Sequence, residues 1–232
     1  MPDSTPPSRR TFLLASSAGM AVSGLGMPFF ANAKDAPVEL DKYQPEYLNA
    51  EEWSFILAAT ARLIPSEGDG PGALETHVPV FIDRQLAGEY GSAKDWYMEG
   101  PHDPTVGADR GWQTPLNPAE LYRKAIPAFN AWCQSRWNKD FKDLPAEQQD
   151  EALTALQKGE AKLAPELSIF FTTLLANTKE GYFADPMYGG NYGMQAWSYI
   201  GFPGARASFS EWVDQHNRKY PLGPVSIKGE RA

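Results

Sequence analysis

Cysteine is nearly absent: Cys133 is the single one in 232 residues. No internal disulfide can form, and ligation of an iron–sulfur cluster by several cysteines is excluded. No C-x-x-C-H occurs, so haem c is not attached covalently. Histidine is scarce too. His77, His102 and His216 are the only three, and none stands in H-x-x-x-H or H-E-x-x-H spacing, the usual helical zinc signatures. Positive charge is in deficit, with 21 Lys and Arg against 29 Asp and Glu and a net charge of −8. A chain without a basic face is poorly suited to nucleic acid, whose phosphates must be neutralised. No lysine run suggests direct attachment to anionic lipid. No stretch approaches the ~20 apolar residues a spanning helix needs. Missing as well are the G-x-S-x-G elbow, a G-x-G-x-x-G opening a helix after a strand, and the Lys-Ser/Thr that would make Gly189–Gly193 a phosphate loop.

What is present begins with an address. Arg9 and Arg10 precede Thr11, Phe12 and Leu13, then a mildly apolar run diluted by serine and glycine ends at Ala31-Asn32-Ala33. Basic n-region, h-region and A-x-A site describe a cleaved signal. Arg9, Arg10 and Phe12 resemble the twin-arginine (Tat) export motif, with cleavage at Ala31 and Ala33. The organisation expected is a signal over 1–33, an extended arm over 34–48 and one domain over 49–232. Export by that route usually carries folded cargo. A loaded cofactor or a folded partner is therefore expected.

Helical periodicity dominates the mature chain. Asn49 caps a helix with Glu52 at capping-box spacing, and Trp53, Ile56, Leu57, Thr60 and Ile64 form its apolar face. Pro65 stops it. Val78–Leu86, with Pro79 in its first turn, reads as a second helix ending at Gly88. Residues 89–116 read as irregular, a length that suits a functional or partner-held loop. Asn117-Pro118-Ala119-Glu120 opens the clearest helix, which Pro127 should kink or divide. Pro145 opens another that stops at Gly159. Pro165 opens the next, with a stripe of Leu167, Phe170, Phe171, Leu174 and Leu175, ended by Gly181. Phe209–His216 would give one last short helix, and an extended tail follows Pro221. No strand alternation or repeat intervenes. The fold class is mostly α: an irregular helical single domain with long Gly/Pro/aromatic-rich loops. Cys133, in AFNAWCQSRW, reads as a buried, inert thiol. His102-Asp103, Asp185, Asp214, Glu180 and Glu211 read as loop and helix-end polar groups, with no pairing visible.

The densest stretch is EGYFADPMYGGNYGMQAWSYIGFPGA, from Glu180 to Ala205. Together with EEWSFILAATARLIPSEGDGPGALETHVPVFIDRQL, WYMEGPH and GWQTPLNPAELYRKAI, it resembles the small subunit, subunit 3, of the membrane-bound gluconate 2-dehydrogenase family. The resemblance implies an assembly. A flavoprotein of the glucose–methanol–choline type carries FAD and oxidises a sugar acid or sugar. A multihaem cytochrome c passes electrons on. The small chain has no cofactor, is not catalytic by itself and binds the flavoprotein. It also lends the flavoprotein its signal for the Tat translocase, which places the complex on the periplasmic face of the inner membrane. Gluconate is the expected substrate because the family is named for it, with glucose, sorbitol, fructose and 2-ketogluconate left open.

On that footing Tyr182, Phe183, Asp185, Pro186, Tyr188, Gly189, Gly190, Asn191, Trp197, Phe202 and Pro203 are candidates for the partner interface. Glycines would permit positive φ and close backbone approach, prolines would stiffen the ends, and rings would anchor. For each ring two uses stay open, packing beneath a tight turn or contact with the flavoprotein. Asp185 would hold its own turn. Two other functions are compatible with an aromatic loop on an exported chain: a periplasmic sugar-binding module, and a free-standing periplasmic enzyme, though no nucleophile–base pair is visible for the latter.

Overall fold

A computed structural model describes residues 40–103, 105–106 and 110–232. The export signal, with Arg9, Arg10, Phe12, Ala31 and Ala33, and residues 34–39 of the arm lie outside the described residues. The rest is one compact unit, Leu40–Ala232. It holds α1 (Ala50–Leu63), α2 (Val78–Ala87), α3 (Pro118–Trp137), α4 (Ala146–Gln157), α5 (Phe170–Phe183) and α6 (Gln195–Ile200). Single 3-10 turns punctuate the connections, and the described residues contain isolated bridges but no strand. The protein is mostly α, as its periodicity predicts.

The two capping boxes form as spelled. Asn49 Oδ1 accepts from Glu51 N and Glu52 N, both at 3.0 Å, while Asn49 N donates to Glu52 Oε2 at 2.9 Å. Asn117 and Glu120 repeat the arrangement at α3, with Pro118 in the first turn. These groups satisfy amides that have no partner inside the helix. Glu52 is buried and also receives Arg123, whose guanidinium lies 4.4 Å over the Tyr47 ring and donates to Tyr47 O at 2.8 Å.

α1 and α5 form the middle of the bundle, each touching the other long helices. Phe55 is the hub of the core. Its ring centroid lies 5.1 Å from Phe141, 6.1 Å from Phe129 and 6.2 Å from Phe170. The Phe55–Phe129 pair is edge-to-face and the other two are tilted, and such ring pairs add to the area they bury. Cys133 is fully buried in the same cluster. Burial, then nearby Asp140, push its thiol up to about 12. A thiol-specific maleimide at pH 8 should therefore label the chain only after denaturation. Rapid labelling of the folded chain would contradict this packing.

Four expectations need correction. Pro127 does not divide α3, which runs unbroken from Pro118 to Trp137. Its ring is on the exposed side, where water can serve the carbonyl it leaves unbonded. Gly181 does not end α5. It lies inside the helix because Phe81 packs there, and a Cβ would come within 2.8 Å of that ring. Pro165–Leu167 is a separate 3-10 turn rather than the start of α5, and Phe171 and Leu175 are only half-buried. The inward face of α5 instead includes Asn177, which accepts from Tyr122 Oη at 2.8 Å and donates to Glu180 at 3.0 Å. The last helix shrinks to Ser210–Trp212. Phe209 and Trp212 pack against Tyr220 rather than the core, at 5.6 and 5.1 Å. Without packing on the core, nothing extends it into a longer helix.

The long connection before α3 is held by its own rings. Trp96 meets Tyr90 and Trp112 edge-on at 5.6 and 5.1 Å, and Trp112 Nε1 donates to Leu116 O at 2.8 Å. The described part of the arm is tied to α2 through Asp83. That buried carboxylate accepts from Tyr43 Oη at 2.8 Å and from the amides of Glu46, Tyr47 and Leu48 at 2.7, 3.1 and 2.9 Å.

Candidate functional site

The aromatic segment is not a loose loop. It leaves α5 at Phe183, turns through Pro186–Tyr188 and Tyr192–Met194, and forms α6. Asp185 starts it by accepting from Met187 N at 3.2 Å, the turn its sequence predicts. Its second oxygen accepts from Ile227 N at 2.6 Å, drawing in the C-terminal tail. Gly189 then takes φ 95°, a conformation a side chain would strain. Gly190 lies so close to α5 that a Cβ would fall 2.2 Å from Gly181 O.

Asn191 is fully buried and staples the two sides. Its Nδ2 donates to Ala184 O at 3.0 Å, and its Oδ1 accepts from Ala196 N at 3.0 Å. Trp197 Nε1 donates to Phe183 O at 2.8 Å, and Phe202 N donates to Trp197 O at the same distance. Tyr182 Oη reaches Pro71 O at 2.8 Å. Tyr192 N donates to Thr76 O at 3.1 Å, and its ring stacks on His77 at 4.4 Å. Burial lowers the His77 imidazole below its ordinary pKa, so it stacks as a neutral ring at pH 7.

The candidate residues therefore divide. Tyr182, Asp185, Gly190, Asn191 and Trp197 are buried and hold the segment in shape. Pro186, Gly189 and Pro203 are half-buried at its bends. Phe183, Tyr188 and Phe202 are 46%, 46% and 45% exposed and face outward. Sequence reading missed Met187, Ile200 and Ile227, which are exposed on the same segment and the tail it holds; Tyr199, one of the rings the stretch displays, is exposed as well. Helical period accounts for Tyr199: two residues from inward Trp197 it turns about 200° away. Ten of the thirteen large apolar residues exposed among the described residues fall between 183 and 227. Their clustering along the chain makes this stretch the candidate interaction surface.

Catalytic groups are not gathered here. Asp185 is occupied by two backbone amides and Glu180 by Asn177. Among the described residues, no three of His, Cys, Asp and Glu come together to hold a metal ion. None of the described helices is long and apolar enough to cross a membrane.

Fold and segment together define a mostly helical domain whose distinctive part is an internally stapled, outward-facing aromatic surface. A family model, gluconate 2-dehydrogenase subunit 3, matches residues 50–204, which takes in α1 to α6 and the whole segment. The chain belongs to the gluconate 2-dehydrogenase subunit 3 family, whose members are subunits of a multisubunit dehydrogenase. No curated protein and no solved structure matches it.

Proposed function

We propose that this chain is the non-catalytic small subunit of a membrane-bound, periplasm-facing, FAD-dependent gluconate 2-dehydrogenase complex. It binds and stabilises the flavoprotein subunit and brings it through the Tat translocase on the signal at Arg9 and Arg10. FAD and haem c belong to the partner subunits. The observation that carries the docking role is the exposed ring set, Phe183, Tyr188 and Phe202, on a backbone pinned by Asn191, Trp197 and Asp185. Rings already fixed before contact lose little entropy on docking and act as anchors.

Deleting the chain should leave the flavoprotein in the cytoplasm without activity. Normal export and activity of the flavoprotein would contradict the role. A finer test is Tyr188→Ser with Phe202→Ser. Both side chains are about half exposed, and Phe202 also packs edge-on against Trp197 at 5.1 Å, so a stability loss of about 1–2 kcal/mol is expected and is measured alongside binding. Loss of two anchors should weaken binding of the flavoprotein by about 2 kcal/mol or more. Calorimetric titration measures it, and unchanged affinity would remove this surface from the interface.

A further inference from the structure

Two stretches more than a hundred residues apart wall one open cavity of about 510 Å³. One is the loop from Ser66 to Glu75, the other the beginning of α6 with Gln195, Ser198 and Tyr199. Both lie within the family-matched region. The Tyr199 ring stands against Gly70, where a Cβ would come within 3.1 Å of Cζ, yet the residue is 59% exposed. It offers a flat face to whatever enters.

The polar lining is one-sided. Its charged groups are the carboxylates of Asp69 and Glu75, and no lysine or arginine lines it among the described residues. Glu75 Oε2 accepts from Gly72 N at 3.0 Å. Asp69 has no hydrogen-bond or ion-pair partner among the described residues. The Gln195 amide has spent its donors on Glu75 O and Tyr192 O, at 3.0 and 3.1 Å. The donors that remain are the hydroxyls of Ser198 and Tyr199, while both charges in the lining are negative. An anionic ligand, a sugar-acid carboxylate included, would meet two like charges. A neutral sugar would leave both carboxylates without a counter-charge. A donor-only cation with a planar face satisfies both the carboxylates and the ring.

Along the chain Tyr199 is followed directly by the exposed apolar residues Ile200 and Phe202. We propose that the cavity receives a basic side chain, an arginine by its shape, from the flavoprotein subunit. This rests on the docking role proposed above. The guanidinium lies over Tyr199 and its N–H edge meets Asp69, which sets the register in which the apolar rings engage.

The test is titration of the mature chain into the flavoprotein at low and high salt, with wild type, Asp69→Asn and Tyr199→Ala. Asp69→Asn removes a charge that supports nothing in the fold, so its melting curve should match the wild type. Each variant should bind about tenfold more weakly. Asp69→Asn should also flatten the salt dependence, because one attractive pair is lost. Wild-type binding that neither substitution disturbs overturns the cavity's role and leaves the docking surface standing. A wild-type chain that does not bind the flavoprotein overturns both. In a parallel arm, N-acetyl-arginine amide should shift the amide resonances of Gly70 and Tyr199, and gluconate and glucose should not. Shifts with either sugar and none with the arginine amide overturn the cationic assignment.

Discussion

Asp83→Ala should lower the melting temperature by on the order of 10 °C. The carboxylate is fully buried and is the common acceptor for Tyr43 Oη and the amides of Glu46, Tyr47 and Leu48. Its removal leaves four donors facing a protein surface rather than water. One stranded buried polar group costs about 1–3 kcal/mol, and a charged hub more. Relaxation of the arm recovers part of this, so about 3 kcal/mol is expected. Asp83→Asn should fall between, since it keeps one acceptor oxygen but turns an N–H₂ toward amides that themselves donate. The hydroxyl of Tyr43 adds a pH signature. Burial first, then Asp83, hold its pKa well above the ordinary tyrosine value of 10.0. A raised folded pKa favours the folded state fully below the unfolded value, and that contribution fades as pH climbs above it. Stability should accordingly fall above about pH 10, and less so in Tyr43→Phe. A shift under about 3 °C for Asp83→Ala would mean the arm is not tethered this way.

Gly190→Ala should be comparably damaging, for a steric reason. The new Cβ would fall 2.2 Å from Gly181 O and 2.9 Å from Gly181 C, both backbone atoms of α5. No rotamer change relieves a clash with backbone. The segment must separate from α5, and the Asn191 and Trp197 hydrogen bonds are stretched with it. Overpacking of this kind costs about 3 kcal/mol or more. Amide hydrogen exchange localises the effect: Tyr192 N and Ala196 N, held by Thr76 O and Asn191 Oδ1, should exchange far faster. Exchange there at the wild-type rate, with unchanged melting, would show that the close approach does not exist. Flavoprotein binding should fall with it, because the outward rings depend on the staples beneath them.

Local signals were legible and distant ones were not. The Asn49 and Asn117 caps were readable because each capping partner lies within three residues. Whether Pro127 divides α3 depends on which side of the helix meets solvent, which the sequence does not show. Gly181 reads as a stop in sequence, but it is explained by Phe81, a hundred positions away. α6 is six residues long in a glycine-rich stretch, and its periodicity is too brief to register. At the site, the sequence singled out the segment but could not sort its rings into buried and exposed. Tyr182 is inward because Pro71 offers a carbonyl, and Trp197 because Phe183 does. Tyr188 has no such partner among the described residues and stays out. That choice belongs to tertiary packing.

The central claim is that the electron carriers sit on other subunits and that this chain contributes a fixed docking surface. It is tested most directly by purifying the assembled complex, separating its subunits and counting flavin and haem on each. The prediction is FAD on the flavoprotein, haem c on the cytochrome, and neither absorbance nor dehydrogenase activity on this chain alone. Flavin or haem retained by the isolated chain, or gluconate oxidation by it, would contradict the account.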